Sequence, residues 1–298
     1  MTRASVRGSG ARAAAQVRPE RPFARFRWTV TVVLLALLAW STWSVDATWG
    51  RLLEAPGRAV GFVGTLVETA SLEPLGVALE AMWESIAIAW IATLLGAALS
   101  FPLVFLAAAN LTRSRVRQPV RQVLNVFRAI PEIVLAIALI PFLGLGPVTG
   151  AVAMGISSIG TLGKLSAEIV ESIDDGPLQA VEASGGGRLE RLRWAVLPQA
   201  MPEIAAFWLY RFEINIRVSA VLGVIGIGGI GGFIAQAVER NVFERIGLGL
   251  LVVILATMLV DAISSRLRRR LIEGPSPAAQ ARRERASTGG GPTGDDAA

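Results

Sequence analysis

Six long, mostly apolar stretches alternate along this chain with polar segments that carry most of its arginines: Trp28–Val45, Ile86–Ala108, Leu124–Leu143, Val148–Ile169, Glu203–Ile225 and Ile246–Ser264. At a rise of about 1.5 Å per residue, each is long enough to cross the hydrocarbon layer as a helix. The pattern predicts an all-α membrane protein with six transmembrane helices.

The polar segments give the orientation. Arg113, Arg115, Arg117 and Arg121 follow the second stretch, and Arg266, Arg268, Arg269 and Arg270 follow the sixth. Residues 1–27 hold seven arginines and one acid. Arginine-rich flanks stay on the cytoplasmic side, so both termini are expected inside. Residues 46–76 carry Asp46, Glu54, Glu68 and Glu73 against Arg51 and Arg58 and are expected outside, in part along the membrane surface. Trp28 at one end of the first stretch, with Trp40, Trp43 and Trp49 at the other, suits the two headgroup layers. The first stretch is long for a signal peptide and no small-residue cleavage site follows it, so it reads as an uncleaved span. Gly226–Gly232 is too rich in glycine for a stable helix and predicts a turn or re-entrant loop.

Composition narrows the chemistry. Hydrophobic residues make up 53% of the chain and charged ones 17%, against about 25% charged in ordinary soluble proteins. There is neither cysteine nor histidine, which removes disulfides, thiol nucleophiles and the commonest zinc ligands and general bases. No metal or cofactor is expected. The net charge of +6 lies in flanks and tails, so its partner is membrane lipid and not nucleic acid.

The segment Gly176–Pro202 is the polar insert that asks for a role. Leu189, Leu192 and Val196 recur at helical spacing, which predicts a short helix over Arg188–Val196. Gly185-Gly186-Gly187 supplies a hinge before it, and Pro198 is expected to end it. The segment resembles the cytoplasmic coupling loop of ABC-importer permeases: Gly185 matches the pattern's glycine and Leu197-Pro198 follow at the required distance. Gln179-Ala180-Val181 stands where that pattern has Glu-Ala-Ala, and Glu182 is the nearby acid. Arg128-Ala129-Ile130-Pro131, Gly160-Thr161-Leu162-Gly163-Lys164-Leu165, Tyr210–Arg217 and Gly223-Val224-Ile225-Gly226 are similar to the permease subunit of phosphonate importers, over roughly residues 77–265.

That resemblance implies a type I importer bundle in residues 77–265 with its coupling loop at 176–202. It is preceded by a disordered basic arm (1–27) and the first helix with its outer loop (28–76), and followed by a disordered tail (266–298). It implies that Gln179, Ala180, Glu182, Gly185, Leu189, Leu192, Val196, Leu197 and Pro198 serve coupling to ABC ATPase subunits. It further implies a permease homodimer, an extracytoplasmic solute-binding protein, alternating access, and phosphonate, phosphate or phosphite as cargo.

Ionisable residues inside spans are costly and therefore informative. Arg211, Glu213 and Arg217 lie in the fifth stretch, Lys164 and Glu168 in the fourth. Glu213 with Arg217, and Lys164 with Glu168, have the i,i+4 spacing of structural pairs; alternatively, Arg211, Glu213 and Arg217 line a polar pathway whose arginines attract an anion. Gly226–Gly231 spells GxGxxG without the βαβ setting such a site needs, and Ser158–Leu165 lacks the first glycine and the magnesium-binding hydroxyl of a P-loop. ATP hydrolysis is therefore expected on a partner and not on this chain. Permeases for methionine or another amino acid, ATPase-independent channels and membrane-embedded enzymes are the other readings the composition allows.

Overall fold

The computed structural model describes residues 24–44, 49–69 and 71–272. Most of the basic arm and of the C-terminal tail, residues 1–23 and 273–298, lie outside the described residues. Two compact units are present, residues 1–61 and 62–298. The first holds α1 (Ala24–Ser44), whose described side chains are all exposed and mostly apolar, the surface that lipid covers. The region read as an outer loop is helical over much of its length: α2 runs Trp49–Glu68, with Glu54 and Arg58 paired one turn apart.

The second unit is a helical bundle. Its helices are α3 (Leu75–Ala107), α4 (Ser114–Ala129), α5 (Glu132–Leu143), α6 (Pro147–Glu171), α7 (Asp175–Ala183), α8 (Arg188–Arg191), α9 (Leu197–Leu222), α10 (Gly229–Glu239) and α11 (Phe243–Ile272). Helix α6 matches the fourth predicted span closely. Helix α3 starts well before the second, because Ala78, Met82 and Ser85 are buried and extend its packed face outward. Among the described residues, four helices are long and apolar enough to cross a membrane, and up to six spans result if each of two bent helix pairs counts as one.

The first bend corrects the linear reading; the second falls in the glycine-rich stretch where a turn was expected. The third span is not one rod: α4 and α5 meet at 86°. Pro131 has no N–H to continue α4 and forces Ile130 into an extended conformation (φ −90°, ψ 118°), so the helix stops and restarts. The arginine segment before it is also helical, forming most of α4. Pro198, expected to stop a helix, does not. The chain stays helical from Arg188 into α9 because Leu192–Val196 widens into a π-helical turn, with Leu197 N–H bonded to Leu192 O. That extra residue in the turn makes room where the proline ring would meet a carbonyl. Pro198 therefore occupies the first turn of α9, and Pro202, expected there, lies inside the helix. The glycine-rich stretch breaks only at Ile225–Gly228; Gly229–Gly232 already belong to α10, at 52° to the preceding helix.

In lipid there is little hydrophobic drive between helices, so close approach must hold them together. Helix α6 is the central element. A Cβ on Gly160 would stand 2.5 Å from Arg128 N and 2.6 Å from Leu124 O, so the end of α4 rests directly on its backbone. Gly96 of α3 gives the same intimacy, a Cβ there falling 2.5 Å from that of Ser158. Around these seams lie three apolar clusters, centred on Leu124 with Val196 and Ile204, on Met154 with Leu222, and on Ile216 with Val252.

Gly160→Leu should therefore cost about 3 kcal/mol by overpacking. It lowers the melting temperature of the detergent-purified protein, whereas Gly76→Leu, with nothing within 4 Å of its Cβ position, leaves it unchanged.

Candidate functional site

Midway along α6, Ser157 and Ser158 face a polar cluster inside the bundle. The break before α5 brings Glu132, in that helix's first turn, to this level. Arg211 of α9 is buried; its Nη2 donates to Glu132 Oε1 at 2.9 Å and its Nε to Ser158 Oγ at 3.0 Å. Ser157 Oγ donates to the same carboxylate oxygen at 2.9 Å. One turn further along α9, Asn215 is fully buried, with Nδ2 donating to Thr93 Oγ1 at 2.9 Å and to Ser158 Oγ at 3.3 Å. Its Oδ1 has no hydrogen-bond partner among the described residues. Sequence reading flagged Arg211 but passed over Glu132, Ser157, Ser158, Asn215 and Thr93. A glutamate directly after the proline of Arg-Ala-Ile-Pro was the available signal.

A second charged site lies between α9 and α11. Glu213 is buried and pairs not with Arg217, as the i,i+4 spacing suggested, but with Arg268 of α11 at 3.0 Å. The helix turn points Glu213 at its neighbour and leaves Arg217 exposed. Arg217 lines a cleft of about 220 Å³ together with Glu213, Thr257 and Asp261. Lys164 and Glu168 likewise form no ion pair with each other among the described residues. They line a cleft of about 170 Å³ with Arg121, Gln118 and Asn125. Arg121 there holds Glu171 and the carbonyl of Ala107, tying α4 to α3 and α6.

The polar insert folds as two short helices joined by the triple glycine. Asp174 caps α7 by accepting from Gly176 N (2.9 Å), and Gln199 Oε1 accepts from Asp174 N (3.1 Å), which fixes α7 to the start of α9. Gly185 has φ +82°. Its N–H bonds to Glu182 O and that of Gly186 to Val181 O, the paired bonds of a Schellman turn. This closes α7 and reverses the chain, and Arg191 pairs with Glu182 across the reversal.

The stripe read as an outward docking face is divided. Val196 is buried and Leu192 half-buried against Leu178 and Ala195 in the bundle's own core, while Leu189 remains 73% exposed. Gln179, Ala180, Glu182, Gly185 and Pro198 are exposed, and Leu197 is half-buried. Trp194, 64% exposed under the guanidinium of Arg193, joins them, and with Gly185–Gly187 and Glu190 it frames an open hollow. Sequence reading did not single it out, since it lies off the leucine stripe.

With this geometry in view, comparison with known proteins gives a consistent picture. Residues 100–273 match the family described as binding-protein-dependent transport system inner membrane component. A phosphate-import permease of Mycolicibacterium smegmatis is 39% identical over 204 residues, 68% of this chain; the match spans 38% of that longer relative's length. A phosphite transport system permease of Stutzerimonas stutzeri, itself named with reserve, is 32% identical over 247 residues, covering 83% of this chain and 87% of that one. Among solved structures, an inward-facing methionine ABC transporter has the same fold, with a TM-score of 0.59 at 21% identity over 67% of this chain and 98% of that one.

The pairing pattern makes a direct prediction. Arg268→Gln leaves the Glu213 carboxylate without its partner and should destabilise the purified protein by on the order of 3 kcal/mol. Glu213→Gln with Arg268→Gln should recover most of the loss in a thermal unfolding measurement.

Proposed function

Because the chain belongs to the family of binding-protein-dependent transport system inner membrane components, we propose that it carries a phosphorus oxyanion (phosphonate, phosphate or phosphite) inward across the membrane as half of a permease homodimer. The chain is a multi-pass membrane protein and a non-catalytic permease subunit of an ABC importer, an architecture that implies ATPase and solute-binding partners. The choice of cargo draws its support from relatives named for phosphate and phosphite at more than 30% identity. The observation that carries the anion reading is Arg217, a guanidinium left exposed on α9 at membrane depth beside a polar cleft. Lipid is a costly neighbour for such a group, so it faces water, a partner or the cargo, and it offers bidentate bonds to phosphate-like oxygens.

In this reading six spans place both ends of the chain in the cytoplasm, with α7, Gly185 and α8 projecting there. An ATPase grips the exposed surface made by Gln179, Ala180, Glu182, Leu189 and Trp194. Leu192, Val196 and Leu197 anchor that surface to the bundle, and Pro198 sits where the π-helical turn passes into α9. No loop intervenes between α8, the part of the gripped segment that bears Leu189, and the helix that bears Arg211, Glu213 and Arg217. Closure of the ATPases is thereby transmitted as a rigid movement of α9, which alternates access between the two sides. A loaded binding protein delivers the anion to the outward-open state.

Two measurements bear on this. Arg217→Gln should abolish ATP-driven uptake of phosphate, phosphite and phosphonate while the protein's melting temperature and its co-purification with the ATPase stay as in the wild type. Normal uptake by that variant would sink the anion-pathway assignment. Gly185→Val puts a β-branched residue at a positive φ and should cost about 1–3 kcal/mol of local strain. The expected outcome is ATP hydrolysis that continues without accumulation of substrate.

A further inference from the structure

The buried guanidinium of Arg211 and the carboxylate of Glu132 differ in one respect that matters. The arginine side chain is 7% exposed and the glutamate 26%. An anion approaching Arg211 therefore meets Glu132 first. The donors that converge on the Glu132 carboxylate suit an oxyanion: a guanidinium N–H of Arg211 and the Ser157 hydroxyl; behind them Ser158 Oγ accepts from Arg211 Nε and Asn215 Nδ2, holding the guanidinium in place, and donates to Met154 O. One carboxylate oxygen, Glu132 Oε1, currently accepts from both Arg211 and Ser157. Glu132 opens α5 at the level of Ser157, midway along α6, where lipid would be a costly neighbour for a carboxylate.

The two residues also come from elements that can separate. Arg211 is on α9, continuous with the cytoplasmic segment, whereas Glu132 begins the short helix α5 after an 86° break. Movement of α9 relative to α5 breaks this pair without unfolding either helix.

We infer that Glu132 is a resident anion of the pathway: with no cargo present its carboxylate occupies the oxyanion-binding donors of Arg211 and Ser157, and the transported anion takes its place when α9 moves. The inference rests on the oxyanion reading above and adds a gate to it. Neutral pairing keeps a desolvated cation from drawing anions through an idle transporter. Release of Glu132 switches that cation on only during the ATP-driven cycle.

The test uses the full chain co-purified with its ATPase, reconstituted into proteoliposomes loaded with radiolabelled inorganic phosphate and an uncharged sugar, without ATP. Wild type retains both. Glu132→Gln should release phosphate about tenfold faster, equivalent to lowering the barrier by about 1.4 kcal/mol, with sugar retention unchanged. Glu132→Gln combined with Arg211→Gln should retain phosphate as the wild type does, because the exposed cation is gone. Phosphate retention by Glu132→Gln equal to wild type overturns the inference, as does equal loss of sugar. If Glu132→Gln fails to assemble, Glu132→Asp keeps the charge but shortens its reach, and phosphate release no faster than wild type would overturn the idea as well. ATP-driven uptake separates the two levels. A wild type that accumulates none of the three oxyanions refutes the cargo assignment, whereas one that accumulates them beside a tight Glu132→Gln refutes the gate alone.

Discussion

A guanidinium buried within a helical bundle is cut off from bulk solvent, and the bundle is arranged so that Arg211 finds its partners in protein. Three separate helices meet to provide them: α5 brings Glu132, α6 brings Ser158, and α9 carries the arginine itself. The cost of an unpaired charge in that setting explains why the chain tolerates a proline break in its third span. Without the stop at Ile130-Pro131, Glu132 would lie further along an unbroken rod and not at the start of a redirected one. The adjacent amide of Asn215 continues the network to Thr93 of α3, so the polar centre links all four helices of the bundle's middle.

Around that centre, close packing takes the place of the hydrophobic drive that lipid removes. Gly160 lets the backbone of α4 rest on α6, and Gly96 does the same for α3. These contacts leave α6 as a fixed post against which other elements can shift. Helix α9 is the element with a handle. It is continuous through the π-helical turn with α8, and α8 is tied to α7 by the Gly185 turn and the Glu182–Arg191 pair. In the proposed coupling, a displacement applied to α7 and α8 therefore has a stiff route to the level of Arg211, Asn215 and Arg217. The Glu213–Arg268 pair carries part of it on to α11.

The division of the leucine stripe fits the same mechanics. In the proposed coupling, a surface gripped by an ATPase must be both exposed and firmly based. Leu189 and Trp194 supply the exposed part, while Val196, Ala195 and Leu178 sink into the core that includes Leu124 and Ile204. Had all three stripe residues faced outward, the segment would have lacked an anchor.

The sequence by itself determined the class of protein: long apolar runs demand helices in lipid, and the absence of cysteine and histidine removes most catalytic chemistry. It also singled out the polar insert, because Gly185 and Leu197-Pro198 stand at a recognisable distance, and it marked Arg211, Glu213 and Arg217 as unusual. Periodicity and composition act along one helix, so they could say nothing about which charge meets which. The i,i+4 rule joined Glu213 to Arg217, yet a side chain on a packed helix also has neighbours on other helices, and Arg268 on α11 was the one within reach. Proline likewise reads as a helix stop from local sterics alone. At Pro131 that reading would have been right, and at Pro198 a widened turn, held by the packing of Ala195 and Val196, made it wrong. Only the tertiary structure decided those outcomes, because partner choice and tolerance of strain depend on contacts between residues far apart in the chain.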